Sequence, residues 1–143
     1  MLNQGTILLV EDDADAALLM KKAFASATVA NPLEVVPNGQ ELMAKLGGKR
    51  ALPADRPIMI LLDLKLPGQS GFDLLEWIRK QADVSRLVVV VLTSSRESRD
   101  VAKAYALGAN SYLVKPTSFH QLVELVKMLK SYWLTHNQFS GAQ

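Results

Sequence analysis

Short apolar runs punctuate this chain, and between them apolar positions recur at helical spacing. Thr6 to Val10, Leu33 to Val36, Ile58 to Leu62, Leu87 to Leu92 and Ser111 to Val114 are brief, continuous and rich in branched aliphatics, the pattern of strands buried on both faces. Ala17, Leu18, Met20 and Phe24 predict a helix from about Ala14 to Ser26, and Leu42, Met43 and Leu46 a second one after the turn signal Asn38-Gly39. A third is expected over Phe72 to Gln81, with Leu74, Leu75 and Ile78 inward. The fourth runs from Ser98, as its N-cap, to Leu107, where Gly108 supplies a left-handed stop. The last starts near Ser118 and continues past Trp133. Gly47-Gly48 ends the second helix, and Lys49 to Pro57 is expected to be the most mobile internal loop.

Five strands alternating with five helices predict a doubly wound α/β domain, because right-handed crossovers place helices on both faces of a parallel sheet. The pattern alone leaves the strand order open. The expected organisation is one domain over residues 1–136 and a patternless tail over 137–143.

Four of the apolar runs end in polar residues. The first is followed by Glu11-Asp12, the third by Asp63, the fourth by Thr93 and the fifth by Lys115-Pro116. Parallel sheets gather their chemistry at the carboxyl ends of strands. Any one of these residues has a plainer reading: Asp63 as a loop charge, Thr93 as a turn hydroxyl, Lys115 as a surface lysine. Glu11 and Asp12 could equally be charges favoured by a helix N-terminus, with Asp13 or Asp15 as the cap. It is the combination at successive strand ends that points to a reactive site. Crowded carboxylates repel one another unless a cation lies among them, and magnesium, hard and oxygen-seeking, suits them. A lysine and a hydroxyl suit a phosphoryl group carried on an aspartate.

Composition narrows the field. The 143 residues carry a formal charge of +2, 49% are hydrophobic and 21% charged, and there is no cysteine. The scattered basic residues form no run interleaved with aromatics, which argues against nucleic-acid binding. Neither a secretory leader nor a membrane span is expected, so the reading is a cytoplasmic protein with no thiol chemistry.

Val-Glu-Asp-Asp, Leu-Leu-Asp-Leu-Lys-Leu-Pro, Leu-Thr-Ser and Val-Lys-Pro, spread over Thr6 to Leu134, resemble the receiver domain of two-component response regulators. The resemblance implies the flavodoxin-like strand order 2-1-3-4-5. Asp63 would be the phosphoacceptor, served by a sensor histidine kinase. Asp12 and Asp63 would bind Mg2+ directly, Glu11 mainly through water, and the backbone carbonyl of Lys65 would add a ligand. Thr93 and Lys115 would hold the phosphoryl oxygens, and a cis Lys115–Pro116 bond would aim the lysine inward. Thr93 and Tyr112 would form the switch, altering the face made by the fourth helix, fifth strand and fifth helix. Lys65 stands where many receivers have asparagine, which bears on phosphoryl lifetime.

The finer resemblance is to single-domain receivers paired with bacterial phytochrome-type kinases. It rests on Leu-Thr-Ser-Ser, Ala-Tyr-Ala-Leu-Gly-Ala-Asn-Ser-Tyr-Leu-Val-Lys-Pro and the late Tyr-Trp-Leu. Such a chain would be no enzyme beyond its own phosphorylation and dephosphorylation. The last helix carries Phe119, Leu122, Val126, Leu129 and Trp133 as an expected core stripe. Leu125, Met128 and Tyr132 form a second stripe, read as a partner surface and most simply a homodimer through the last strand and helix. Two alternatives stand beside this: a docking module independent of phosphorylation, and a shuttle passing phosphate to a histidine phosphotransferase. An aspartate-nucleophile phosphatase would need a second acid two residues after Asp63, where Lys65 stands.

Overall fold

The computed structural model describes residues 5–47, 57–81 and 86–138. Its elements are β1 (Ile7–Val10), α1 (Ala14–Ser26), β2 (Leu33–Val36), α2 (Gly39–Gly47), β3 (Met59–Leu62), α3 (Gly71–Lys80), β4 (Val88–Thr93), α4 (Ser98–Ala106), β5 (Ser111–Val114) and α5 (Phe119–Leu129). A π-helical stretch, Lys130–His136, extends α5. The five strands form one parallel sheet in the order β2-β1-β3-β4-β5, the expected doubly wound order. The expected loop over 49–57 and the end of the tail lie outside the described residues, save Pro57, Asn137 and Gln138.

The strand alternation explains why the central runs are unbroken in hydrophobicity. Ile7, Leu9, Met59, Leu61, Val90 and Leu92 point to one face and pack with α1 and α5. Leu8, Val10, Ile60, Leu62, Val89 and Val91 point to the other and pack with α2, α3 and α4. Every residue of β1, β3 and β4 is buried, whereas β2 and β5, the edges, are only partly so. An edge strand has one unpaired side, which is why Glu34 and Ser111 are tolerated there.

Local chemistry sets the helix ends. Asp13 caps α1, accepting from the backbone N–H of Asp15 at 2.9 Å and of Ala16 at 3.3 Å. Ser70 caps α3 and Ser118 caps α5, each accepting from the N–H three residues on. The N-cap of α4 is Glu97, with no side-chain cap bond, and Ser98 is the first helical residue, which corrects the expected Ser98 cap. Gly108 stops α4 at φ +106°, a backbone conformation that favours glycine.

The last helix departs most from expectation. Leu125 is buried in the core and Phe119 is exposed, each opposite to its expected stripe, whereas Val126 and Leu129 are buried and Met128 and Tyr132 exposed as expected. The buried set is Leu125, Val126 and Leu129, with Leu122 partly buried beside them. That is the i, i+3, i+4, i+7 face of a single helix. Beyond Leu129 the helix widens: the Asn137 N–H donates to the Tyr132 carbonyl at 2.7 Å and the Thr135 hydroxyl to the Lys130 carbonyl at 3.0 Å. The altered pitch buries Leu134 and leaves Tyr132 60% exposed, and Tyr132 meets Trp133 edge-on at 4.9 Å. Lys130 holds this end against α1, donating to the Thr28 carbonyl at 2.9 Å.

Candidate functional site

The carboxyl ends of β1 and β3 lie side by side because these strands pair in register, Val10 opposite Leu62. The next residue of each chain segment is an acid. The Glu11 backbone N–H donates to the Val36 carbonyl at 3.1 Å and the Asp63 N–H to the Val10 carbonyl at 3.4 Å, so both carboxylates are set by the sheet. Glu11 is 5% exposed and Asp63 9%. Such burial of charge requires compensation.

Lys115 supplies it. Its Nζ donates to Glu11 Oε1 at 2.6 Å and to Asp63 Oδ2 at 2.9 Å. The Lys115 N–H donates to the Thr93 carbonyl at 2.8 Å, continuing the β4–β5 ladder by one residue. Burial alone would lower the Lys115 pKa, but hydrogen bonds and charges from Glu11 and Asp63 outweigh it and hold the pKa above the ordinary lysine value. The described residues contain no cis peptide bond, so Lys115–Pro116 is trans, correcting the expected cis bond. Trans is the intrinsically favoured form of an X–Pro bond, and here the lysine reaches both acids without isomerisation.

The second Asp63 oxygen, Oδ1, accepts from the Lys65 N–H at 3.1 Å, while the Lys65 side chain is exposed. Gly71 backs this turn. A Cβ there would lie 2.3 Å from the Asp63 carbonyl oxygen and 2.7 Å from Leu64 Cα, so only glycine lets α3 approach the acid so closely. Its N–H donates to the Leu64 carbonyl at 2.9 Å. The apolar pattern along the chain carries no sign of this close approach.

Thr93 closes β4 and is fully buried. Its Oγ1 accepts from the Ser95 N–H at 3.5 Å. The Tyr112 hydroxyl donates to the Ser95 carbonyl at 3.0 Å, so the two expected switch residues meet through Ser95, which sequence reading passed over within Leu-Thr-Ser-Ser. A cavity of about 120 Å³ adjoins the site, lined by Glu11, Asp63 and Lys115 at its polar side and by Leu19, Met20 and Leu122 among the apolar residues.

Glu11, Asp63 and Lys115 are thus in direct contact, and Asp12 lies on the exposed loop beside them. Among the described residues no three acidic or imidazole side chains converge as a ready-made metal cage. The donor set still fits a hard cation that needs only one or two carboxylates and keeps its remaining waters. Chemically, the arrangement offers a carboxylate fixed at a strand end, a lysine beside it and an exposed approach past Asp12 and Lys65.

Comparison with known proteins agrees with this geometry. The family model for the response regulator receiver domain matches residues 7–127. The chain is 38% identical over 139 residues to the probable methanogenesis regulatory protein FilR2 of Methanothrix harundinacea, covering 94% of this chain and 87% of that one. It is 36% identical over 129 residues to the response regulator Rcp1 of Synechocystis sp., covering 90% and 88%. The phosphorylated cyanobacterial phytochrome response regulator RcpA superposes with a TM-score of 0.85 at 34% identity, over 94% of this chain and 97% of that one. The Mn2+-bound form of Rcp1 gives 0.83 at 34% identity, over 95% and 99%. With its strand order, its acids at adjacent strand ends and the lysine that joins them, the chain belongs to the response regulator receiver domain family and is related to the phytochrome response regulators.

Proposed function

We propose that this chain is a receiver that takes a phosphoryl group from the phosphohistidine of a sensor histidine kinase onto Asp63. The observation that carries the reading is the buried Asp63 carboxylate with Lys115 Nζ 2.9 Å from one of its oxygens. An Asp63 oxygen attacks phosphorus as the bond from phosphorus to the histidine nitrogen breaks, so charge accumulates where Lys115 already sits. The Thr93 hydroxyl and the Lys115 ammonium then serve the phosphoryl oxygens. Hydrolysis, with water attacking the same phosphorus, returns the carboxylate and releases inorganic phosphate. These steps are matters of positioning and charge neutralisation. The protein would have no catalytic turnover beyond this self-directed chemistry.

Magnesium suits this chemistry and would be held by Asp12, Asp63 and the Lys65 carbonyl, with Glu11 acting mainly through water. When bound it would neutralise charge on the acids and on the incoming phosphoryl group. The Mn2+-bound form of Rcp1 supports a divalent cation. The exposed Lys65 side chain, beside the path of the attacking water, would tune phosphoryl lifetime.

The kinase would be of the phytochrome type, a reading supported by RcpA being a phytochrome response regulator. The signal would be carried by α4, β5 and α5, with Thr93 and Tyr112 as the switch. Met128 and Tyr132, each 60% exposed, flank a groove of about 280 Å³ between β5 and α5 that also includes Leu113 and Trp133. That surface suits a homodimer. The receiver would occupy residues 1–136, since Leu134 is still in the core, and would act in the cytoplasm. Incubation with acetyl phosphate tests the reading: one phosphoryl group is gained in the presence of magnesium and none with chelator. Absence of any gain would leave a docking module as the surviving account.

A further inference from the structure

The two ends of α4 are held very differently. At its C-terminal end Arg79, projecting from α3, grips the stop: its Nε and Nη2 donate to the Gly108 carbonyl at 3.0 and 2.7 Å. Its Nη1 donates to the Leu87 carbonyl at 2.6 Å, and Nη2 also reaches Asn110 Oδ1 at 2.9 Å. Asn110 Oδ1 in turn accepts from the Val89 N–H at 2.8 Å, so the clamp is fastened to β4. A guanidinium fork is suited to this many planar acceptors, which an ammonium cannot match. Ala104, in the last turns, is the only residue of α4 that is buried.

The N-terminal end has no such anchor. Glu97 makes no side-chain cap, and its pair with Arg99 is exposed. What ties this end is Ser95. The Ser95 hydroxyl donates to Asp100 Oδ2 at 2.6 Å and accepts from the Glu97 N–H at 3.3 Å. Its N–H and its carbonyl are the groups that meet Thr93 and Tyr112. One short residue therefore bridges the end of β4, the edge strand and the first turn of α4.

We propose that Ser95 is the positioning residue that couples the Thr93 loop to α4, and that α4 pivots on the Arg79 clamp when this coupling is changed. The pivot is a property of the resting chain. What drives it, phosphoryl uptake at Asp63, rests on the receiver reading above. A movement at the loop is then delivered to the first turn of α4 through the Ser95–Asp100 bond, while the Gly108 end stays fixed.

Residue-resolved amide exchange by NMR on the full chain tests both parts, with intact mass recorded on the same samples. In the resting wild type, amides of Leu107 and Ala109 exchange more slowly than those of Asp100 and Val101. Ser95→Ala speeds exchange at Asp100 and Val101 by about tenfold, the loss of one hydrogen bond, and leaves Leu107 and Ala109 unchanged. Arg79→Lys does the opposite, and Ser95→Thr, which keeps the hydroxyl, restores the wild-type pattern. With acetyl phosphate and magnesium, wild type and Ser95→Ala take up phosphoryl equally, but only the wild type changes exchange at the first turn. A uniform exchange rate along resting α4, or an identical phosphoryl response in Ser95→Ala, overturns the proposal. If the wild type takes up no phosphoryl group, it is the receiver reading that fails, and the resting pattern still decides the pivot.

Discussion

Lys115 spans two buried carboxylates, and most of the residue-scale behaviour follows from that. Replacing it with methionine leaves Glu11 and Asp63 facing each other without a cation. The expected cost is about 1–3 kcal/mol, below the roughly 3–5 kcal/mol of a fully buried pair because the Lys115 side chain is 27% exposed. Denaturant unfolding checks this. The pH dependence has a definite sign. Because the folded pKa of Lys115 lies above its ordinary 10.5, the stabilisation is complete at neutral pH. It is lost as pH rises from 10.5 through the raised folded value. Chelated wild type should therefore show an alkaline loss of stability that Lys115→Met lacks, and parallel pH curves for the two would contradict this. Gly71 gives a second case. Because a Cβ at this position would stand 2.3 Å from the Asp63 carbonyl oxygen, Gly71→Ala should cost about 1–3 kcal/mol and also reduce phosphoryl uptake, read by urea midpoint and intact mass. At this scale Glu11, Asp63, Thr93 and Lys115 were legible because each directly follows or closes an apolar run. Ser95 and Gly71 were not, since what matters is how closely their atoms approach groups that sequence order does not place beside them.

Among the elements, α5 separates what periodicity reveals from what it leaves ambiguous. A helix with apolar residues around more than half its circumference offers two credible inward stripes, and only packing against α1 and the sheet chooses between them. Leu125 fell on the buried side and Phe119 on the exposed side. The choice predicts contrasting mutants. Leu125→Ala should cost about 2–5 kcal/mol, whereas Tyr132→Ser and Met128→Ser should each change stability by less than about 0.5 kcal/mol. The latter pair should weaken self-association, as measured by sedimentation velocity over a concentration series. Unchanged sedimentation in the double variant would remove these residues from any dimer contact. The π-helical turns over Lys130–His136 have no signature in the apolar pattern, and neither does the bare N-cap of α4. The first is marked by a backbone bond spanning five residues and the second by a side chain that makes no cap bond, and apolar spacing records neither.

For the whole molecule, the strand order is what assembles the site. Sequence order separates Glu11 from Asp63 and Asp63 from Lys115, and the order β2-β1-β3-β4-β5 returns their strand ends to one edge of the domain. Alternating strands and helices pointed to a doubly wound sheet. The order itself came from resemblance, because hydrophobic period carries no information about which strands are neighbours. The same topology divides the core into two layers, one under α1 and α5 and one under α2, α3 and α4, while Thr93 at the end of β4 and Lys115 just after β5 join the proposed output face to Asp63 at the end of β3. Every step of the proposed switch depends on Asp63 carrying the phosphoryl group. Reductive trapping tests it most directly: after acetyl phosphate and magnesium, borohydride converts an aspartyl phosphate to homoserine, and peptide mass mapping locates it. Homoserine is expected at position 63 alone, abolished in Asp63→Asn. Homoserine at position 12, the corresponding reduced product at Glu11, or no reduced residue at all would contradict it.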